Sequence, residues 1–166
     1  MDGPSAASRE VLSIYLNDHL AGATAGLELA RRAASSNRGS PYGPFLEQLA
    51  GEVQEDRQIL LEVMSELEIG VDRLKVLGGW GAEKVGRLKL NGRLVGYSPL
   101  SRVVELEGLM LGVHGKLALW RSLDRLHPQL RRLKRFDFAQ LITRAESQLA
   151  VLERNRVQAV LEAVHG

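Results

Sequence analysis

The sequence predicts an all-α protein, a four-helix bundle with a long helical crossover between helices two and three. Three observations predict it. Apolar residues recur at three-four spacing along four long stretches, the signature of one buried helix face. The stretches match in length, about 25 residues or roughly 37 Å each, so they can lie side by side. The first and last connections are short and the middle one is long, which makes two antiparallel hairpins joined by a crossover.

Each element follows in turn. Ser8 to Ser35 places Leu12, Leu16, Leu20, Ala23, Leu27, Ala30 and Ala34 on one face. Gly43 to Ile69 places Leu46, Leu49, Val53, Leu60, Val63 and Leu67 on another, with Gly43-Pro44 as its start and Gly70 as its stop. The stretch 71–97 is the expected crossover, helical over Asp72 to Leu90, broken at Gly78-Gly79-Trp80-Gly81 and ended by Asn91-Gly92, with Trp80 as an apolar anchor. Ser98 caps helix three, Pro99 takes its first position, and the helix runs to about Arg125. Asp137 and Gln140 form a capping-box pattern that opens helix four, flanked by the staple pair Phe136 and Leu141, and this helix nearly reaches Gly166. All 166 residues read as a single domain.

Glycine is over-used, 17 of 166 residues, about 10% against a usual ~7%. Gly22, Gly26, Gly51, Gly108, Gly112 and Gly115 fall inside expected helices, where each costs roughly 0.5–1 kcal/mol relative to alanine. The pairs Gly22/Gly26 and Gly108/Gly112 predict either a close approach of helices one and three or a homodimer face. On that expectation Gly22→Leu destabilises the fold.

Composition excludes several chemistries. There is no cysteine, so disulfides, thiolate metal sites and cysteine nucleophiles are ruled out. Aromatics are 5%, too few for single-strand nucleic-acid stacking platforms. No phosphate loop, nucleophile elbow or His-Glu-x-x-His motif is present. No apolar run is long enough to span a membrane, and Met1 to Arg9 lacks a secretion signal, so the expected setting is cytoplasmic, without membrane insertion. Net charge is +2, but residues 1–71 balance at −6 while 72–103 and 121–135 each balance at +5. That basic excess can lie against the acidic N-terminal half, or bind phosphate, nucleic acid or another anion through Arg87, Lys89, Arg93, Arg131 and Arg132.

Polar residues interrupt the apolar rows. Asp56 breaks the seam of helix two, and His19 sits on or beside the inward face of helix one. On helix three the row Leu100, Val103, Glu107, Met110, His114, Leu117 places Glu107 and His114 two turns apart. On helix four the row Ala139, Ile142, Glu146, Leu149, Glu153, Val160 does the same for Glu146 and Glu153. A buried carboxylate costs several kcal/mol unless it is paired or metal-bound. Carboxylates and imidazoles on facing helices suit non-haem iron or manganese, which makes His19, Asp56, Glu107, His114 and Glu153 the candidate ligands. In the alternative, Asp56 pairs with His19, Arg57 or Arg121, and the glutamates lie at the stripe edge and reach water.

With its long middle crossover and mid-helix acidic residues, the chain resembles the ferritin-like superfamily, which includes ferritins and rubrerythrins. The stretches Tyr15 to Gly26, Glu55-Asp56-Arg57, Arg87 to Arg93 and Tyr97 to Ser101 are similar to a group of small bacterial proteins with no assigned activity. The resemblance implies a metal pattern of one Glu from each of two helices and a Glu-x-x-His from each of the others. Here helix two offers Glu52-x-x-Glu55 without histidine, and the one Glu-x-x-His on helix four, Glu162 to His165, falls at the chain end. The expected function is therefore a non-catalytic interaction or scaffold module, a homodimer that uses no cofactor. The alternative is an iron- or manganese-binding protein that stores the metal or reacts it with oxygen species.

Overall fold

Four helices follow one another as α1 (Ala6–Ser36), α2 (Gly43–Glu66), α3 (Pro99–Leu126) and α4 (Phe138–His165), with a 3₁₀ turn at Arg131–Leu133. The computed structural model describes residues 6–73 and 97–165. No strand occurs among them, and no helix there is long and apolar enough to cross a membrane. The expected helical crossover, its glycine break and Trp80, with Arg87, Lys89 and Arg93, lie outside the described residues.

Local chemistry sets the helix ends. The turn between α1 and α2 is held by Asn37, which donates to the Ala33 carbonyl at 2.8 Å, and by Ser40, whose hydroxyl donates to the Asn37 carbonyl at 2.9 Å. A side chain at Gly43 would come within 2.9 Å of that same carbonyl, so glycine is required there. α2 stops at Glu66, earlier than the expected stop at Gly70. The reason is a Schellman turn in which the Ile69 amide donates to the Met64 carbonyl at 2.9 Å and the Glu68 amide to the Ser65 carbonyl at 3.0 Å. Glu68 takes the left-handed conformation, φ 56°, at the place where glycine is usual. At α3, Ser98 and Ser101 form a reciprocal capping box and Pro99 occupies the first turn. At α4, the Asp137 carboxylate accepts from the Gln140 amide at 2.9 Å, as its capping role predicts.

Neighbouring helices are antiparallel. Arg32 of α1 meets Glu105 of α3, and Tyr15 of α1 meets Ser122. Glu52 and Glu55 of α2 meet Gln148 and Arg144 of α4. The most extensive backbone contacts are within the hairpins α1–α2 and α3–α4, followed by α1–α3, whereas α2 and α4 meet through long side chains. α2 and α3 are thus parallel and occupy opposite corners. The two sides of the middle connection lie at opposite ends of the bundle. Gly70 and Asp72 are tied to Asn17 near the start of α1, and the Tyr97 hydroxyl accepts from Asn37 just past its end.

The core follows the predicted rows on α1 and α2. Leu16, Leu20, Leu27 and Ala30 are buried on α1, and every member of the α2 row from Leu46 to Leu67, Asp56 included, is buried. Each fully buried leucine contributes roughly 1.5–3 kcal/mol. On α3 and α4 the buried rows differ from those predicted. They run Val103, Leu106, Leu109, Val113, Leu117, Trp120 and Phe138, Leu141, Ala145, Gln148, Leu152, Ala159. A step of one residue turns a side chain about 100° around a helix, so this difference moves every polar residue predicted from those two rows.

Candidate functional site

Asp56 lies in the middle of the bundle with 3% of its side chain exposed, and cations from two other helices meet it. Lys116 of α3 donates to one carboxylate oxygen at 2.5 Å, and Arg144 of α4 donates to the other. Lys116 also donates to the Gln148 side-chain carbonyl, and the Gln148 amide donates to Glu52 at 2.7 Å. The second arm of Arg144 reaches Glu55 at 2.9 Å. The cluster spans α2, α3 and α4. Burial pushes the Lys116 ammonium below the usual lysine range, the Asp56 carboxylate opposes that shift, and Arg144 adds to it. Removing one member of such a pair leaves an uncompensated buried charge, typically at about 3–5 kcal/mol.

The five predicted metal ligands do not converge. Asp56 is committed to its two cations. His19 sits edge-on against the Tyr15 ring, with centroids 4.5 Å apart. Glu107, Glu153 and His114 are exposed, two of them because the buried row of α3 runs one residue away from the predicted row and the third because that of α4 does. Glu107 and Glu153 both face Arg156, at 3.8 and 2.7 Å. Glu146 is exposed as well and pairs with Arg121. Among the described residues no three His, Asp or Glu side chains come together as a metal site. The partners expected for Asp56 are also corrected: Arg57 donates to Thr24 at 3.0 Å and Arg121 to Glu146 at 2.7 Å.

Three of the six basic residues of the 121–135 stretch, Arg121, Arg132 and Arg135, pair with carboxylates of the molecule itself. Arg132 pairs with Glu68 at 2.9 Å, and Arg135 lies against Glu62 and Glu66. Arg131 is exposed. At the far end of the bundle the buried Glu105 accepts from Arg32 at 3.1 Å and from the Tyr97 hydroxyl at 2.9 Å. Burial pushes the Tyr97 hydroxyl up to about 12, with Glu105 adding to the shift and the Asn37 amide opposing it.

Above the Asp56 cluster the wall of the bundle is open. A cleft of about 530 Å³ separates the middles of α1 and α3. It is closed at one end by the Tyr15–Ser122 hydrogen bond of 3.1 Å and at the other by Leu29 against Gly108. Its walls are mainly apolar, with Leu60, Leu109, Val113, Leu119 and Trp120 among them, and its inner end reaches Asp56, Arg57 and Lys116. Gly22 and Gly26 of α1 and Gly112 and Gly115 of α3 line it. A side chain at any of these four glycines would meet nothing within 4 Å. The expected close approach of α1 and α3 therefore holds only at Gly108, where a Cβ would lie 3.0 Å from Leu29. At the other four glycines the facing helix stands back, and the missing side chains leave the space open.

No family model, curated protein or solved structure matches this chain. The site is thus read from its own chemistry. A volume of this size, apolar walls and a few convergent polar groups are the usual properties of a small-molecule pocket. His19 on the wall is held below its ordinary value by burial, against the opposing pull of Asp18, so it is neutral at pH 7. Lys116, Arg144 and Gln148 carry the centre and were not in the predicted set. A signal for two of them exists in the sequence: Lys116 is three residues from Val113 and four from Trp120, and Gln148 is three from Ala145 and four from Leu152.

Two outcomes follow. Gly22→Ala and Gly115→Ala each raise stability by about 0.5–1 kcal/mol in urea unfolding, because the added methyl meets open space; a loss of similar size would restore the close-packing account. His19 gives a pH dependence of known sign. Its folded form resists protonation, so stability is intact above the unfolded value of 6.5 and falls as pH drops from there toward its lowered folded value. The stability difference between wild type and His19→Leu should shift in that window against the wild type, and a pH-independent difference would contradict the assignment.

Proposed function

We propose that the chain is a non-catalytic binding module, a four-helix bundle of ferritin-like connectivity that receives another molecule in the cleft between α1 and α3. The observation that carries this reading is the open, mainly apolar cleft itself, bordered by four glycines whose substitution would meet no neighbour. Helical glycines weaken a fold unless they serve contact or space, and at these positions they serve space. The ferritin-like reading is supported by the antiparallel neighbours, by the parallel pair α2 and α3, and by residues 72 and 97 at opposite ends of the bundle. The non-catalytic reading is supported by Asp56, both of whose oxygens are taken by cations. A homodimer belongs to the same proposal, with the exposed strip Val157, Leu161 and Val164 of α4 as apolar surface available to it.

Titration with the neutral apolar dye Nile red tests the cleft. A single saturable site is expected in the wild type, lost in a Gly22→Leu, Gly115→Leu double variant whose circular dichroism and melting are unimpaired. Absence of saturable binding, or equal binding by that variant, would remove the reading. Light scattering on the same samples reads the mass, and a monomer would remove the homodimer.

A further inference from the structure

We propose that the cleft takes an amphiphile with a thin apolar body and a single carboxylate head, the head seated at Lys116. This rests on the preceding reading of the cleft and names the class of molecule it receives. Three features point to it.

The first is shape. The cleft is shut at both ends, by Tyr15 with Ser122 and by Leu29 with Gly108. From residue 15 to residue 29 the opening is about 21 Å long at 1.5 Å per residue. A partner helix, roughly 10–12 Å across with its side chains, cannot lie along that seam without parting α1 from α3. A single hydrocarbon chain can.

The second is wall chemistry. Leu60, Leu109, Val113 and Leu119 give the body a dry surface. Leu111, 72% exposed, extends that surface to the mouth.

The third is the inner end. Its ionic groups are Lys116, Arg57 and Asp56, two cations and one anion, and both oxygens of Asp56 are already taken. The capacity left over is for donating. An ammonium has three N–H groups, and Lys116 uses two of them, on Asp56 and Gln148, which leaves one for an incoming acceptor. Trp120, also a wall residue and 1% exposed, has an indole N–H with no acceptor among the described residues. Donors without acceptors in a half-dry site call for an acceptor, and a carboxylate adds charge complementarity to the two cations. Asp18, the other acidic residue of the lining, is exposed to water, where its repulsion is screened.

Displacement of Nile red by decanoate, decan-1-ol and decylammonium, each below its micelle concentration, tests the proposal. Decanoate should displace the dye at a concentration about tenfold or more below that of the alcohol, with decylammonium weakest. Lys116→Gln should bring decanoate and decanol close together, with decanoate losing far more affinity than the alcohol. If that variant does not fold, the comparison of the three head groups in the wild type still decides. Equal displacement by decanoate and decanol would overturn the carboxylate head and leave the cleft reading standing. No displacement by any of them, with Nile red still bound, would overturn the amphiphile. A wild-type dimer that becomes monomeric in the Gly22→Leu, Gly115→Leu variant, with decanoate failing to bind, would assign the cleft to a second copy of the chain and likewise overturn it.

Discussion

A carboxylate deep among four helices must be neutralised where it sits, and Asp56 is that carboxylate. Its surroundings supply little solvation, so its charge is tolerable only with cations at bonding distance. Lys116 and Arg144 provide them from two other helices. The requirement acts on geometry more than on total stability, since a buried pair gains back roughly what desolvation takes. Sliding α3 or α4 by one turn relative to α2 would leave Asp56 without one partner. The cluster therefore fixes the register of three helices at the bundle centre, while leucine side chains supply most of the favourable free energy.

The same cluster shapes what lies on either side. Toward α4, Arg144 and Gln148 span the distance to Glu55, Asp56 and Glu52, which is why α2 and α4 meet through side chains rather than backbone. Toward α1 the matching space is left partly open. Gly22, Gly26, Gly112 and Gly115 stand there, and the result is an opening that leads from solvent to the charged centre. The interior ammonium and the apolar walls are then properties of one continuous surface.

Much of this was legible in the sequence. Ser98-Pro99, Asp137 and Gly43 mark helix ends because capping and turn chemistry act over three or four residues, within reach of a local reading. The α2 row was legible because most of its alternatives one residue away are polar. The α3 and α4 rows were not, because apolar residues occur in both registers: Leu100 and Met110 against Leu109 and Val113, Ile142 and Leu149 against Leu141 and Leu152. Only the facing helices choose between them. The choice buries Gln148 and turns Glu107, His114 and Glu153 to solvent. The α2 stop was missed for a related reason, since Glu68 adopts a conformation that glycine at position 70 advertises more plainly. The six helical glycines were legible as an anomaly but not in sign. The sequence shows small residues, and only the distances show whether another helix comes close enough to use them.

The measurement that bears most directly on this account is a double-mutant cycle between Asp56→Asn and Arg144→Met, repeated with Lys116→Met in place of the arginine change, read by urea unfolding. If Asp56 holds α3 and α4 in register, both cycles give coupling energies of about 2–3 kcal/mol, at the upper end of what contacting residues show. Coupling within about 0.5 kcal/mol of zero in both, the additivity of independent sites, would mean that the charged centre does not organise the bundle.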